Sequence, residues 1–267
     1  IVCRFAPFGV SLQKISKAMT IALIQMDIAW GSPQANIRRA EALMGSLEAE
    51  LYVLPEMWAT GYSSHPEEIA EKESDSLALA WMKDTARRRR CALCGSLAIR
   101  DGQGDYRNRL YFVTPDALYF YDKHHLFTYA HEDQDYRRGD HQVVVTFHGI
   151  RFLLQVCYDL RFPVWSRWGR AGEYDAIIYV ANWPDARQIA WNTLVRARAI
   201  ENQCYVVAVN RVGDEGKAHF AGESVVIDPT GTTITACQTT ETVCQAELDM
   251  KTLETQRNKF PVLLDRD

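Results

Sequence analysis

Apolar stretches with strand-like character alternate with helical patterns along most of the chain. Apolar runs and two-residue alternation predict strands at residues 21–26, 51–54, 92–99, 107–113, 118–121, 142–147, 150–156, 176–180, 205–210 and 223–227. Apolar spacings of three and four residues predict helices at residues 32–47, 77–88, 162–172 and 187–202. Because no long flexible linker interrupts this alternation, we expect a single α/β domain with layered sheets over residues 19–267.

The segment before this pattern is different in character. Residues 1–18 start without Met, mix charged residues, proline and glycine into a weak apolar stretch, and lack the apolar core of a signal peptide. We expect them to be vector-derived or upstream sequence outside the fold.

Charge and hydropathy exclude two classes of partner. The chain has 267 residues, with 30 Lys and Arg, 34 Asp and Glu and a formal net charge of −4. This mixed charge does not predict a nucleic-acid partner, and no apolar run is long enough to span a membrane. The four consecutive arginines at residues 87–90 end a predicted helix, where cations complement the helix dipole.

The seven cysteines do not form the pattern of a disulfide scaffold. Cys91, Cys94, Cys204 and Cys244 lie in apolar, strand-like surroundings, where a free thiol packs as a small hydrophobic side chain. Cys91 and Cys94 match C-x-x-C, but an offset of three in a strand places the two thiols on opposite faces. We therefore expect free thiols and a reducing, cytoplasmic location.

Cys157 is the strongest candidate for chemistry. A predicted strand at residues 150–156 leads into it, and a helical segment begins there. The positive end of a helix dipole stabilises a thiolate, so we expect a lowered pKa for this thiol. The alternative is a buried cysteine that only packs.

Glu56 and Lys123 also follow apolar strands. Glu56 comes after residues 51–54, where poor solvation raises a carboxyl pKa toward the range of a general base. Lys123 ends an aromatic strand, where an ammonium group can donate to a developing oxyanion. The alternatives are a helix cap or ion pair for Glu56, and a surface position for Lys123.

Three blocks around these residues resemble the signatures of the nitrilase (carbon-nitrogen hydrolase) superfamily. They are residues 54–56, 122–127 and 156–163, and their order and spacing match. Three further stretches, residues 179–184, 196–202 and 210–213, resemble its omega-amidase branch. The resemblance implies a four-layer α-β-β-α sandwich of the nitrilase type, whose subunits pair into a homodimer or a larger homo-oligomer.

The resemblance also implies roles for individual residues. Glu56 is then the general base, Cys157 the nucleophile and Lys123 the group that stabilises the tetrahedral intermediate. The backbone N–H of Tyr158 would be the second oxyanion donor, and Glu132 matches a second glutamate of the family. The implied reaction needs no cofactor. It hydrolyses the terminal amide of a small ω-amido acid such as 2-oxoglutaramate, through a thioester, and releases ammonia.

A substrate of that kind carries a carboxylate at its far end. Arg161 and Arg187 lie near the ends of strands that should line the pocket, and a guanidinium can bind a carboxylate through two parallel hydrogen bonds. Each arginine is equally expected to pair with an acid such as Asp159 or Asp185. The remaining pocket wall is expected from Tyr62, Asn182 and Trp183.

Other readings of the sequence remain. His124, His125, His131 and Glu132 crowd one stretch but lack the spacing of metal ligands, so we expect no metal. No G-x-S-x-G serine motif occurs. A nitrilase, an N-carbamoyl amidohydrolase and a catalytically silent binding protein on the same fold are the alternatives to an omega-amidase.

Overall fold

The computed structural model describes residues 18–266, so the expectation for residues 1–18 lies outside the described part except at Ala18. The helices are α1 (Pro33–Met44), α2 (Leu77–Arg89), α3 (Glu132–Asp135), α4 (Gln188–Asn202) and α5 (Met250–Lys259). The strands are β1 (Met19–Gln25), β2 (Leu51–Val53), β3 (Glu71–Lys72), β4 (Ala92–Arg100), β5 (Tyr106–Val113), β6 (Leu118–Asp122), β7 (Val144–Phe147), β8 (Ile150–Val156), β9 (Ala176–Ala181), β10 (Tyr205–Asn210), β11 (Val212–Glu215), β12 (Ala218–Ala221), β13 (Val225–Ile227), β14 (Thr233–Ala236) and β15 (Thr242–Leu248).

Two mixed sheets form the centre of the fold. The first has the order β15-β1-β2-β4-β5-β6, with β3 paired to β4, and the second has the order β14-β13-β10-β9-β8-β7. Strands β1, β2 and β4 run parallel, as do β8, β9 and β10. Two antiparallel steps from β4 through β5 return β6 to the same direction. The carboxyl ends of these strands therefore open at a shared edge, where α/β proteins place their ligand sites.

Side-chain alternation along the strands builds three apolar layers. One face of each sheet meets the other sheet, for example through Leu23 of β1 and Val207 of β10. The opposite face of the first sheet packs on α1 and α2, and that of the second sheet packs on α4 through Trp191. The predicted four-layer α-β-β-α sandwich is therefore confirmed.

Two details of the predicted elements are wrong. Residues 162–172 do not form an α-helix: a short 3₁₀ turn, Pro163–Ser166, is followed by irregular chain with left-handed backbone at Gly169 and Gly172. Left-handed glycines end a helix rather than continue it. The sequence pattern also missed β3, β15, α3 and α5, as well as β11 and β12, which pair with each other outside the two sheets.

The cysteines follow the prediction in part. Cys91, Cys94 and Cys204 are free and buried. Cys91 packs with the helix-facing layer and Cys94 with the layer between the sheets, so the predicted opposite faces are confirmed. Cys244 is not a free thiol, because it forms a disulfide with Cys237 beside the start of β15.

The predictions for the arginine run and for membrane spans can also be compared with the structure. The arginine run ends α2, with Arg90 in the left-handed conformation of a helix cap. Among residues 18–266, no helix has the length and apolar character needed to cross a membrane.

Candidate active site

A buried lysine held between two buried glutamates is the centre of the site. Lys123 follows β6 directly, and its Nζ donates to Glu56 Oε1 at 2.9 Å and to Glu132 Oε2 at 2.9 Å. All three side chains are at most 1% exposed. Glu56 comes from the loop after β2 and Glu132 begins α3, so two loops and a short helix bring the three charges together.

Further donors fix both carboxylates. Glu56 accepts from Asn108 Nδ2 at 2.7 Å and from the backbone N–H of Asn182 at 2.8 Å. The Asn182 side chain in turn donates to the Glu56 carbonyl at 2.8 Å. Glu132 accepts from the backbone N–H of Phe127 at 2.6 Å. Each carboxylate thus has several partners, as a buried charge requires.

The charges in this cluster are strongly coupled. Burial alone favours a neutral Lys123, but the two glutamates outweigh it and raise the pKa of the ammonium well above its usual value. Burial raises the pKa of Glu132; Lys123 opposes this effect and the charge of Glu56 adds to it. The lysine is therefore a permanent cation in the site.

Cys157 directly follows β8 and lines the same cavity as Glu56 and Lys123. Its backbone adopts a left-handed φ of 43°, a sparsely populated conformation for a non-glycine residue that is often found at active sites. Burial and the negative charge of Glu56 raise the pKa of the thiol well above its usual value. The predicted lowered pKa is therefore wrong, because the 3₁₀ turn Cys157–Arg161 provides only a short dipole and a carboxylate lies nearby.

Asp159 connects the cysteine turn to the lysine loop. Its buried carboxylate accepts from the backbone N–H of Val156 at 3.0 Å and from the Tyr121 hydroxyl at 2.7 Å. It also accepts from the backbone N–H of His125 at 3.0 Å and contacts His125 Nδ1 at 2.8 Å. The residues before Cys157 and after Lys123 are thus tied to one side chain.

A cavity of about 180 Å³ opens over Cys157. Nine residues singled out from the sequence line it, namely Glu56, Tyr62, Lys123, Cys157, Tyr158, Arg161, Asn182, Trp183 and Arg187. Glu132 is the one predicted residue absent from the lining, since it lies behind Lys123. The N–H of Tyr158 belongs to the first turn of the Cys157–Arg161 segment, where amides have no acceptor within the turn.

Both predicted arginines lie on aromatic rings. The Arg161 guanidinium carbon is 4.8 Å from the Trp183 ring centre. That of Arg187 is 5.4 Å from Phe127 and 5.3 Å from Tyr129. Within the described chain no ion pair joins either arginine to an acid, and Asp159 is paired with His125. Two guanidinium groups in one small cavity are therefore available to an anion.

The sequence patterns missed several residues of the site. Asn108 was detectable, because two-residue alternation places it on the same face of β5 as the buried Leu110 and Phe112. Glu215, Ala218 and Phe220 line the cavity from the β11–β12 hairpin. No pattern in the sequence relates this hairpin to the cysteine, so only the folded chain reveals it.

Two histidines of the stretch that was considered for metal binding stack on aromatic rings. His124 stacks on Trp165 with ring centres 3.7 Å apart, and His125 stacks on Phe162 at 3.8 Å. Across residues 18–266, no group of three or more His, Cys, Asp or Glu side chains is arranged to hold a metal ion.

Comparison with known proteins places this geometry in a family. A family model described as carbon-nitrogen hydrolase matches residues 20–258. The omega-amidase YafV of Escherichia coli is 41% identical over 253 residues, which are 93% of this chain and 97% of the relative. The 2-oxoglutaramate amidase of Bacillus subtilis is 34% identical over 252 residues, covering 92% and 96% of the two chains.

Solved structures agree with the sequence relatives. The crystal structure of a carbon-nitrogen hydrolase superfamily protein from Xanthomonas campestris, which carries an arsenic adduct in its active site, matches with a TM-score of 0.90 at 39% identity. The match covers 94% of this chain and 97% of that protein. Nit3 of Saccharomyces cerevisiae, a nitrilase superfamily member, matches with a TM-score of 0.82 at 26% identity, covering 94% and 98%. The chain belongs to the carbon-nitrogen hydrolase family and is an amide-hydrolysing enzyme of the nitrilase superfamily.

Proposed function

We propose that this enzyme hydrolyses the terminal amide of a small ω-amido acid, such as 2-oxoglutaramate, through a thioester on Cys157. The observation that carries the proposal is a cavity that combines a thiol, a lysine between two glutamates and two arginines without acidic partners. Relatives that are named omega-amidase and 2-oxoglutaramate amidase support the same substrate class.

In the proposed acylation step, Glu56 takes the thiol proton as the sulfur of Cys157 attacks the amide carbon. The Lys123 ammonium and the Tyr158 N–H stabilise the oxyanion. When the C–N bond breaks, the proton held by Glu56 passes to the leaving nitrogen, and ammonia departs from a thioester. Glu56 then takes a proton from water, which attacks the thioester to release the acid and restore the thiol.

The raised pKa of Cys157 determines how this step runs. A thiol with such a pKa is mostly protonated near neutral pH, so it needs a base at the moment of attack. Glu56 is the base that lies within reach, and Lys123 keeps its carboxylate oriented. Glu132 acts on the other side of the ammonium, where it fixes the position of Nζ.

Substrate selection is proposed to depend on the two arginines that line the cavity. Arg161 and Arg187 are proposed to bind the substrate carboxylate, since both line the cavity and neither has an acidic partner within residues 18–266. Their aromatic supports restrict the guanidinium planes, which reduces the entropy lost on binding. Tyr62, Asn182 and Trp183 are proposed to form the wall between the arginines and the thiol.

We also propose that residues 19–267 form one domain and that the enzyme is a cytoplasmic homodimer. Phe260 and Leu264 of the C-terminal segment are 62% and 78% exposed, so they are available to a second subunit. Leu263 packs on its own chain beside the α4 layer. The cytoplasmic location rests on the three free, buried thiols, and the disulfide of Cys237 with Cys244 is the observation against it.

Limited alkylation with iodoacetamide should modify Cys157 before any other free thiol of the described chain. Cys157 lines the cavity and is partly exposed, although its own pKa is also raised, whereas Cys91, Cys94 and Cys204 are buried. Because a raised pKa leaves little thiolate at neutral pH, the rate of labelling should increase from pH 7 to pH 9. Peptide mapping identifies the site. Earlier labelling of Cys91 or Cys204 with full activity would contradict the assignment.

Substitutions in the charged cluster should act mainly on kcat. Lys123→Ala should lower kcat by on the order of 10²–10³, the usual loss for one oxyanion donor. Glu56→Gln should lower kcat at least as much, since both steps lose their base, and we expect a severe loss in Glu132→Gln. Ammonia release is measured after circular dichroism has verified folding. The exposed Lys72→Ala is the control. A kcat of Lys123→Ala within tenfold of the wild-type value would exclude Lys123 as an oxyanion donor.

Carboxylate recognition is tested with succinamate and its methyl ester. Esterification removes the anion, so kcat/KM for ammonia release should fall roughly 10²-fold or more, the scale of an unpaired buried polar group. Arg161→Met or Arg187→Met should abolish this difference for whichever arginine binds the carboxylate, and the exposed Arg167→Met should not. Equal rates for the two compounds would exclude carboxylate recognition.

A further inference from the structure

Asn108 contacts both carboxylates of the cluster and the backbone of Lys123. Its Nδ2 donates to Glu56 Oε1 at 2.7 Å and to Glu132 Oε1 at 3.2 Å. Its backbone carbonyl accepts from the backbone N–H of Lys123 at 2.9 Å. The side chain is 1% exposed and lies in β5, on the face that carries the core residues between the sheets.

The direction of the amide group follows from these contacts. Two carboxylate oxygens lie within reach of one end of the side chain, so that end must be the NH₂ group, which donates two hydrogen bonds. The amide oxygen Oδ1 is buried and has no partner among the described residues. A buried oxygen without a hydrogen-bond partner lowers the stability of the fold. The orientation that leaves Oδ1 without a partner is the one that directs both N–H groups at the glutamates.

The charge balance explains what the amide contributes. Two carboxylates share one ammonium, which leaves one negative charge in excess in a buried site. Like charges so close favour proton uptake by one of the pair, and that proton would remove the base. Hydrogen bonds to the ionised form oppose this uptake, and Asn108 supplies one to each carboxylate.

We propose that Asn108 is a positioning residue that keeps Glu56 and Glu132 ionised together around Lys123 and thereby maintains the general base of the reaction. The role rests on the proposed function, because it acts through Glu56.

Other titratable groups also face the two glutamates. Tyr62 follows the Glu56 loop, Tyr136 follows α3, Cys157 follows β8 and Glu215 comes from the β11–β12 hairpin; each of them interacts electrostatically with Glu56. Burial raises the pKa of both tyrosines and of the thiol, so these three are neutral in the pH range that matters. Glu215 is paired with Arg211. Cys157 is the one of these four with a side-chain hydrogen bond to Glu56, whereas no hydrogen bond joins Tyr62, Tyr136 or Glu215 to either carboxylate in the described chain.

The test compares Asn108→Leu, which has a similar shape and no donor, with Asn108→Thr, which keeps one donor and suits a strand. The acid limb of the pH profile of kcat/KM for succinamate should move to higher pH, by about one unit or more in Asn108→Leu. The shift should be smaller in Asn108→Thr. An unchanged limb in Asn108→Leu would overturn the proposal. If Asn108→Leu does not fold, Asn108→Thr takes its place, and an unchanged acid limb in Asn108→Thr would overturn the proposal.

Thermal unfolding provides a readout that needs no substrate. In the wild type the Asn108 hydrogen bonds stabilise the ionised cluster, and Asn108→Leu lacks them. The Tm difference between the two proteins should therefore grow as pH rises through the titration of the cluster. A displacement of one pH unit corresponds to growth of about 2–4 °C. A purely structural hydrogen bond would give a Tm difference independent of pH, and that result would contradict the proposal.

Ser96→Ala is the matched control. Ser96 is fully buried and accepts from the backbone N–H of Met57, next to Glu56, at 2.9 Å, but it contacts no carboxylate. This variant loosens the same loop, yet it should leave the acid limb in place and give a Tm difference that does not vary with pH. If the wild type hydrolyses no ω-amide, the proposed function fails, while the Tm comparison still decides the role of Asn108.

Discussion

The site depends on one buried ammonium shared by two buried carboxylates. Charges removed from water are costly, and breaking such a group by removing one partner destabilises a protein by about 3–5 kcal/mol. The pairs Lys123–Glu56 and Lys123–Glu132, both at 2.9 Å, are therefore tolerable only with the complete set of hydrogen bonds around them. The surrounding fold provides this set from several loops, and the lysine is held as a cation where a developing oxyanion needs one.

The two-sheet architecture explains how these loops meet. Parallel strands in each sheet deliver their following loops to one edge, so Glu56 after β2 and Lys123 after β6 lie beside Cys157 after β8 and Asn182 after β9. Asp159 then ties the cysteine turn to the lysine loop. The left-handed backbone at Cys157 is a local cost that the surrounding hydrogen bonds offset. The same hydrogen bonds therefore stabilise these loops and position the groups of the site.

Much of this arrangement was predictable, because local patterns specify strands and the residues that follow them. The four layers required the family resemblance, and the strand order was not predicted. The sign of the pKa shift at Cys157 was not predictable, since it depends on burial and on Glu56, which is distant in sequence. Residues 162–172 show a similar limit: Trp165 and Trp168 mimic helical spacing, but the glycines that follow adopt left-handed backbone. The β11–β12 hairpin has a two-residue loop with a left-handed Gly216, a local signal that the pattern analysis missed, but neither its position at the cavity nor the Cys237–Cys244 pair has a local signal.

The central claim is that Cys157 carries the acyl group during amide hydrolysis. Wild-type enzyme mixed with 2-oxoglutaramate and quenched in acid during turnover allows mass spectrometry of the modified peptides. The account predicts an adduct with the mass of the substrate minus ammonia on the peptide that contains Cys157, and no ammonia release by Cys157→Ala. An adduct on another residue, or ammonia release by Cys157→Ala at the wild-type rate, would contradict it.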